Sequence, residues 1–345
     1  MLLAIFNYIG FGDSAINLFS SYLKHRSQMV KCNNNISEPR VVFKGVPQGS
    51  ILGPTLFLIY TSALCKQLKH CNIHMYADDT QIYHSFCHTE LHEAFEKINY
   101  DLKVTRDFCQ KHALQLNPTK CNAMLFSNKL TKSQMPRMHI NNLAIPFVDK
   151  CKNLGVILDT SLRFRPHVTM CIQRAFLNLR LLFPHKFYLS TSIKLMLCNS
   201  LVLSHFAHCS PVYSSCITHD TTHSIQRVQN SCLRFVYGIS KYDHITHKLK
   251  DANWLSMTSR RHLQNAVLFH KIISDKRPPY LYNKIRFRTD IHNLNLRHRG
   301  LLTIPQHKTA LFERSFSYTI AVMYNALPSP LKSLPTTYTI VFCRD

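Results

Sequence analysis

Residues 74–83 read HMYADDTQIY and carry two adjacent carboxylates, Asp78 and Asp79. Apolar and polar residues alternate on both sides of this pair, which is typical of β-strands, and Asp is common in turns. The stretch therefore predicts a tight β-hairpin whose tip presents both carboxylates. Carboxylates exposed in this way are ligands for divalent metal ions, although an ordinary polar hairpin tip could carry the same residues.

Glycine is concentrated just upstream of the predicted hairpin. The chain has eight glycines, and three of them lie in residues 45–54, which read GVPQGSILGP. Such a cluster indicates either close approach of another molecule to the backbone or a simple loop that enters a helix. After Ser50 the apolar residues recur with helical spacing, so we predict a Gly-rich loop that leads into a buried helix.

The rest of the chain predicts helices and strands up to about residue 160 and mainly helices after it. A helix over residues 90–111 carries an outward Glu93–Lys97 pair, and a helix over residues 13–23 has Asp13 or Ser14 as its N-cap. The inner face of the helix over 90–111 consists of Leu91, Phe95, Ile98, Leu102 and Cys109. The other predicted elements are a polar hairpin or loop at 24–44, a turn at 114–120, strands at 123–126 and 154–158, a helix over 168–182, mostly helical structure up to 274 and a proline-rich segment from 276.

The charge of the chain is strongly positive and unevenly distributed. Its 42 Lys and Arg against 18 Asp and Glu give +24; 12 basic and 9 acidic residues lie up to Leu125, and 30 basic and 9 acidic lie beyond it. An excess of this size favours a polyanionic partner such as a nucleic acid, with a merely solvated basic surface as the alternative. The same two interpretations apply to the basic stretch that contains Arg286, Arg288, Arg297 and Arg299.

Composition places the chain in a broad class. A hydrophobic content of 46% excludes disorder, and no apolar run is long enough to span a bilayer. The first residues lack the features of a signal peptide, and the thirteen cysteines form no Cys-x-x-Cys pair. We therefore expect an intracellular protein of the nucleus or cytoplasm with reduced thiols. The spacing of Cys209 and Cys216 disfavours zinc in the histidine-rich segment around them.

The order of Gly-rich loop, helix, Asp-Asp hairpin, helix, Lys turn and Leu-Gly strand resembles the palm of a polymerase. More narrowly, the chain resembles the reverse transcriptases of LINE-type (non-LTR) retrotransposons, especially the Jockey and chicken-repeat groups. The resemblance extends over nearly the whole chain. It is carried by FSSYL at 19–23 with Arg26 and Gln28, the loop at 45–54, YADDT at 76–80, LNPTK at 116–120, NLGVILD at 153–159, CSP at 209–211, Trp254 and Leu255, Arg260 and Arg261, PPYL at 278–281 and NALP at 325–328.

This resemblance implies an α+β fold, with a partial polymerase palm of helices packed on an antiparallel sheet, then a mostly helical thumb and C-terminal region. It assigns residues 1–160 to the partial palm, without the fingers and the first catalytic strand. Residues 161–275 become a helical thumb or connection, and residues 276–345 a basic C-terminal region. The implied activity is RNA-directed DNA synthesis by two-metal nucleotidyl transfer. The implied partners are an RNA template, a DNA primer, deoxynucleoside triphosphates and Mg²⁺, with no membrane.

The resemblance also implies roles for individual residues. Asp78 is expected to be a ligand shared by both metal ions, and Asp79 a weaker or more distant one. Lys120 is expected near the leaving pyrophosphate, as a cation or general acid, or it is an ordinary solvated lysine. Gly155 either belongs to a strand that grips the primer or simply allows close packing. The expected nucleotide- and template-binding residues are Gly45, Pro47, Gln48, Gly49, Ser50, Tyr76 and Ala77, and the expected primer-grip residues are Leu154, Gly155 and Val156.

One carboxylate of the family pattern has no counterpart in the sequence. Relatives carry a further catalytic aspartate, in a segment like Ala-Phe-Asp, on a strand upstream of the Gly-rich loop. Before Gly45 the chain has only Asp13, at a helix start, and Glu38, in a polar loop. We therefore expect an N-terminally truncated reverse transcriptase that is inactive or nearly so by itself. The alternatives are a non-catalytic basic protein that binds RNA or DNA, an unexpressed relic, and a chain that starts at the wrong methionine.

Overall fold

The chain divides into two units, Met1–Val148 and Asp149–Asp345. The computed structural model describes residues 1–43, 45–47, 49–141, 143–291, 300–328 and 332. Helices and antiparallel strands both occur among them, so the predicted α+β class is confirmed. The narrower assignment of residues 1–160 to a palm, 161–275 to a thumb and 276–345 to a C-terminal region stays a prediction.

Short strands alternate with helices in the first unit, whereas the second unit has one β-hairpin followed by helices. The elements of the first unit are α1 (Leu2–Tyr8), α2 (Asp13–Leu23), β1 (Ser27–Gln28), β2 (Lys31–Cys32), β3 (Asn35–Ile36), β4 (Arg40–Val41), α3 (Gly53–Thr61), β5 (Asn72–Tyr76), β6 (Asp79–Tyr83), α4 (Leu91–Lys111), β7 (Met138–Ile140) and β8 (Leu143–Ile145). Those of the second are β9 (Lys150–Asn153), β10 (Val156–Asp159), α5 (Arg165–Leu182), α6 (Thr191–Leu197), α7 (Ser210–Tyr213), α8 (His219–Tyr237), α9 (Thr246–Asp251), α10 (Met257–Asp275), α11 (Pro279–Tyr282), α12 (Ala310–Glu313) and α13 (Phe316–Ala326). None of the helices in the described ranges combines the length and the apolar content that a membrane crossing needs.

The described strands form five separate two-stranded antiparallel sheets, in which β1 pairs with β4, β2 with β3, β5 with β6, β7 with β8 and β9 with β10. Of the two alternatives predicted at 24–44, hairpin or loop, the first two of these sheets favour the hairpin. The strand predicted at 123–126 is wrong, because Ala123 forms only a single bridge, with Phe147. The residues of β9, which follow that partner, pair with β10 instead, so the ladder at Ala123 does not extend.

The helix α2 begins and ends where the sequence predicts, at Asp13 and Leu23. Its N-cap, however, is Gly12, and no side chain caps the helix, so the prediction that Asp13 or Ser14 is the cap is wrong. The extended backbone ends one residue earlier than predicted, which places Asp13 in the first turn. A carboxylate at this position still interacts favourably with the positive end of the helix dipole.

The helix α4 organises the core of the first unit. It confirms the helix predicted over 90–111, and the predicted Glu93–Lys97 ion pair forms with an N–O distance of 2.6 Å. Phe95 on its inner face packs against the segment that contains β7 and β8, and removal of this apolar surface from water fixes the helix in the unit. The buried members of the cluster are Phe95, Met135, Met138, Ile140 and Ile145.

A buried aspartate on the same helix holds the start of β5. The Asp101 side chain is fully buried, and its carboxylate accepts hydrogen bonds from the backbone N–H groups of Lys69 (3.0 Å), His70 (2.9 Å) and Cys71 (2.6 Å). Burial alone would raise the pKa of Asp101, but these donors and the Cys71 thiol outweigh it, so the pKa lies below its ordinary value. Burial and the Asp101 carboxylate in turn raise the pKa of Cys71 to about 12.

Aromatic contacts add to the attachment of the β5–β6 hairpin to α4. The Tyr100 ring lies 5.4 Å from the His70 ring, and Lys69 Nζ lies 5.5 Å from the same Tyr100 ring. On the other side, after β6, the Phe86 ring contacts the Phe95 ring at 6.4 Å. The hairpin is therefore held at its open end, where its two strands enter and leave.

The core of the second unit is built mainly from helices α5 and α8 and from residues 198–206, and Val156 of β10 and Met257 of α10 contribute to it. These helices confirm the prediction of mostly helical structure up to residue 274. Trp254 packs against the edge of this core, and the Arg260 guanidinium lies 5.3 Å from its ring centre. The largest fully buried side chains of this core include Phe206, Tyr213, Ile225 and Phe235.

Replacing Asp101 with Asn should lower the free energy of unfolding by about 1–3 kcal/mol. The substitution turns one acceptor oxygen into an NH₂ group, so at least one buried backbone N–H loses its partner. The matched control is Asp107→Asn on the same helix, because the Asp107 carboxylate makes only a half-exposed pair with Arg106. The control should change the free energy by no more than about 0.5 kcal/mol. Urea denaturation near pH 7 measures both values.

The effect of Asp101→Asn should also depend on pH. Because the pKa of Asp101 is lower in the folded state, the carboxylate stabilises the protein fully above its ordinary pKa. That contribution is lost as the pH falls through the lower folded-state pKa. The difference between wild type and variant should therefore shrink below about pH 4. A difference that stays constant from neutral pH into this acidic range would contradict the role assigned to the carboxylate.

Candidate active site

The tip of the β5–β6 hairpin carries the two predicted carboxylates. Tyr76 pairs with Asp79 across the strands, and Ala77 and Asp78 form the two-residue turn between them. Ala77 has a φ of +53°, in the left-handed region, which costs an L residue about 1–2 kcal/mol. All residues from 76 to 80 are exposed. The hairpin predicted from residues 74–83 is thus confirmed, with both carboxylates accessible to solvent.

The donor chemistry of this pair fits a divalent cation only in part. Asp78 and Asp79 offer the carboxylate oxygens that Mg²⁺ prefers. Within the part of the chain that the structure describes, no group of three or more His, Cys, Asp or Glu side chains is placed to hold a metal ion. The two aspartates are therefore an open pair of ligands, which further oxygen donors would have to complete.

The Gly-rich loop is closed by a serine. The Ser50 hydroxyl donates to the carbonyl oxygen of Pro47 at 2.8 Å and accepts from the backbone N–H of Gly53 at 3.0 Å. Gly53 is the first residue of α3 and is buried, and a Cβ at this position would lie 3.0 Å from the Pro47 oxygen. The structure therefore confirms a loop that leads into a helix. The short distance to the Pro47 oxygen explains why position 53 requires glycine.

The other two glycines of the loop keep an unusual backbone conformation in open space. Gly45 and Gly49 have φ angles of +80° and +79°, and an added Cβ on either would meet no atom within 4 Å. The Arg26 guanidinium donates to the Gly45 carbonyl oxygen at 2.5 Å, which fixes one side of the loop. The backbone at both glycines is thus open to another molecule. Gln48, which the sequence also assigns to this site, lies outside the described residues.

Lys120 is the last residue of a short 3₁₀ turn, Pro118–Lys120, in the segment where a turn was predicted. The Asn117 side chain caps this turn by accepting from the backbone N–H of Thr119 at 3.1 Å. The Lys120 side chain is exposed. Its role near a leaving pyrophosphate stays a prediction.

The predicted primer-grip residues lie in the second unit, at the β9–β10 hairpin. Leu154 and Gly155 form its turn, with φ angles of +45° and +86°, so the strand begins at Val156, two residues later than predicted. A Cβ on Gly155 would lie 2.8 Å from His208 Nε2, which is 3.1 Å from the Leu154 carbonyl oxygen. These contacts support close packing as the reason for glycine at position 155, and the primer-grip role stays a prediction.

The described site residues are distributed over both units. The hairpin tip and the Gly-rich loop belong to the first unit, and the β9–β10 turn belongs to the second. Sequence reasoning missed Asp101, which fixes the hairpin, and gave no role to Arg26, which fixes the loop. The signal for Asp101 was a single acidic residue on the apolar face of a helix, three positions after Ile98.

His205, His208 and Cys216 of the histidine-rich segment contact neighbouring parts of the second unit. His205 Nε2 lies 3.0 Å from the Asn178 amide nitrogen, and His208 contacts the β9–β10 turn. The Cys216 thiol donates to the Arg314 carbonyl oxygen. Of the arginines in the basic stretch, Arg286 and Arg288 are exposed, while the other two, at 297 and 299, lie outside the described residues.

Comparison with known proteins gives a family match over the segment that contains most of the candidate site residues. Residues 8–158 match the family model described as reverse transcriptase (RNA-dependent DNA polymerase). The match includes the Gly-rich loop, the Asp78-Asp79 hairpin, Lys120 and the β9–β10 turn.

Several curated relatives are RNA-directed DNA polymerases of Drosophila mobile elements. The chain is 31% identical over 167 residues to the probable RNA-directed DNA polymerase from transposon BS of Drosophila melanogaster, covering 46% of this chain and 18% of the relative. It is 28% identical over 233 residues to that of the X-element of the same species, covering 64% and 25%. It is 30% identical over 195 residues to the polymerase from the mobile element jockey of Drosophila funebris, covering 52% and 21%. The chain thus spans about a quarter or less of the length of these relatives.

A left-handed φ costs an L residue about 1–2 kcal/mol. Replacing Gly155 with Ala should lower the free energy of unfolding by more than this amount. The excess arises because the new methyl group meets His208 Nε2. In a His208→Ala background, Gly155→Ala should therefore cost only the backbone term. Gly300→Ala is the control, since a Cβ there meets no atom within 4 Å, and should change the free energy by no more than about 0.5 kcal/mol.

Denaturation of the two single variants and the double variant gives the coupling between positions 155 and 208. Equal costs of Gly155→Ala in both backgrounds would show that His208 does not dictate the glycine.

Proposed function

We propose that this chain is part of an RNA-directed DNA polymerase of a LINE-type (non-LTR) retrotransposon, because residues 8–158 match the reverse transcriptase family. The observation that carries the proposal is the exposed pair Asp78 and Asp79 at the hairpin tip, downstream of a loop with accessible backbone at Gly45 and Gly49. The relatives' names describe the same activity for proteins of which this chain covers a part. The substrates we propose are an RNA template, a DNA primer and deoxynucleoside triphosphates.

The residues of the first unit suit the binding part of this reaction. Asp78 and Asp79 would hold Mg²⁺, which, when bound, supplies the charge that activates the primer hydroxyl and stabilises the transferred phosphate. The carboxylates contribute because the hairpin fixes both residues at its tip before any substrate arrives, which lowers the cost of reorganisation. Gly45 and Gly49 let a base or a sugar approach the backbone more closely than any larger residue would. Lys120 would offer a positive charge to the leaving phosphates.

The 345-residue polypeptide alone should synthesise DNA very slowly or not at all. The described residues place no third carboxylate beside Asp78 and Asp79. In a site of this kind each carboxylate neutralises charge on the metal ions and orients them, so loss of one costs orders of magnitude in rate. A longer polypeptide that adds a carboxylate-bearing strand to the hairpin would complete the ligand set.

A chimera tests this proposal. It joins the part of the jockey polymerase that precedes its matched region to residues 1–345, and it is assayed for extension of a DNA primer on an RNA template with Mg²⁺. We expect extension by the chimera and none, or a trace, by the 345-residue polypeptide. Asp78→Asn in the chimera should reduce the rate by about 100-fold or more, because the metal loses a charged ligand.

Asp107→Asn is the matched control in the chimera, since this half-exposed aspartate lies on α4 and pairs only with Arg106. It should leave the rate unchanged. Extension that survives Asp78→Asn at the full rate would show that the pair is not the metal site, and full activity of the 345-residue polypeptide would show that it needs no further carboxylate.

A further inference from the structure

Two exposed loops of the second unit each place an aromatic ring beside a lysine. Phe187 and Tyr188, between α5 and α6, are 91% and 88% exposed, and Lys186 Nζ lies 5.9 Å from the centre of the Phe187 ring. Tyr242, after α8, is 88% exposed, and Lys241 Nζ lies 5.8 Å from its ring centre. A single exposed ring is common on protein surfaces, but several rings grouped beside lysines form a patch of the kind that marks a binding site.

The two loops adjoin each other. Lys186 Nζ lies 4.0 Å from the position that a Cβ on Gly238 would take, and Gly238 ends α8 at the start of the loop that carries Tyr242. The Phe183 ring packs against Phe235 of α8 at 5.4 Å, which joins the loop after α5 to the same helix. We call Lys186, Phe187, Tyr188, Lys241 and Tyr242 the aromatic–lysine surface.

The backbone that presents this surface is ordered by hydrogen bonds. Tyr188 N–H donates to the His185 carbonyl oxygen at 3.1 Å, which closes a turn around Phe187. In the other loop, Arg234 Nε donates to the Ser240 carbonyl oxygen at 3.2 Å, and the Asp243 carboxylate accepts from Ser240 N–H at 3.2 Å. The rings therefore stand on fixed turns, so their exposure is a property of the fold.

The charge of the aromatic–lysine surface is available to an anionic partner. Among the described residues, neither Lys186 nor Lys241 forms an ion pair with a carboxylate. The nearby acid Asp243 is engaged with its own loop backbone. A ligand that fits must therefore combine negative charge with flat faces that stack on aromatic rings.

We propose that the aromatic–lysine surface binds a single-stranded polynucleotide. Bases stack on Phe187, Tyr188 and Tyr242, and the phosphates between them contact Lys186 and Lys241. A single strand is required because a base inside a duplex already stacks on its neighbours and offers no free face. A bilayer is a poorer partner, since two of the three rings carry a hydroxyl and two lysines accompany them.

This inference goes beyond the proposed function, because binding here needs neither Asp78 nor a divalent ion. It can therefore be tested in EDTA and without nucleotides, so that failure of DNA synthesis by the chimera leaves the result unaffected.

The test is fluorescence anisotropy of the 345-residue protein with labelled 12-nucleotide oligo(U) RNA and oligo(dT) DNA in EDTA. We expect Phe187→Ala, Tyr188→Ala and Tyr242→Ala each to weaken binding by about 5- to 100-fold. Phe187→Tyr keeps a flat ring and should retain the wild-type affinity. The wild-type protein should bind a duplex of the same length more weakly than either single strand, and binding of either strand type supports the proposal.

Salt dependence separates the lysines from the rings. For single strands, each lost phosphate contact should reduce the slope of log K against log[salt] by about 0.7. Lys186→Gln and Lys241→Gln should show this change, whereas the ring-to-Ala variants should keep the wild-type slope. Lys271→Gln, at an exposed position on α10, is the control and should change neither the slope nor the affinity.

Three results would overturn the proposal. The first is that the ring-to-Ala variants bind single strands as tightly as wild type. The second is that the duplex binds at least as tightly as the single strands. The third is that vesicles of phosphatidylcholine and phosphatidylserine bind through Phe187 while the oligonucleotides do not, which would make this a membrane surface.

Discussion

The hydrogen bonds between the Asp101 carboxylate and the backbone of residues 69–71 are the contacts on which the candidate active site depends. A two-stranded hairpin is at best marginally stable in water by itself. In the described structure β5 and β6 pair only with each other, so tertiary contacts must hold them in place. Asp101 supplies these contacts at the point where the chain enters β5, and it does so with a buried charge whose cost three donors offset.

This attachment at the open end explains what the tip can carry. Ala77 has a left-handed φ, and Asp78 and Asp79 place two like charges next to each other, so both features oppose formation of the turn. Neither would persist in a hairpin that had to stabilise itself through its own turn. Because α4 fixes the two ends of the hairpin, the tip residues can be chosen for binding rather than for stability.

The features that sequence predicted correctly are those set by neighbouring residues. The β5–β6 hairpin follows from alternation around Asp78, and the helix over 90–111 follows from its apolar period and its Glu93–Lys97 pair. The loop at 45–54 follows from its glycines. Local chemistry specifies all three, so one sequence is enough to find them.

What sequence could not predict depends on a partner that lies far along the chain. Residues 123–126 have the composition of a strand, but a strand also needs a pairing partner. The segment that bridges to Ala123 at Phe147 continues into β9, which pairs with β10 instead. Asp101 looks like an interruption of an apolar face until the three N–H groups near residue 70 are seen beside it. The need for glycine at position 155 likewise depends on His208, more than fifty residues later, which lies where a Cβ would be.

The proposed function gives a physical reason for the uneven charge of the chain. Carboxylates that are to hold metal ions lose affinity if lysine or arginine side chains pair with them, because the cations compete for the same oxygens. Up to Leu125 the chain has 12 basic and 9 acidic residues, and 30 basic against 9 acidic lie beyond it. Attraction of a polyanion acts over distance and tolerates imprecise placement, so the lysines can be carried by the later part of the sequence. The aspartates that we propose as metal ligands would need precise placement to share an ion, and they lie in the part of the sequence with fewer basic residues.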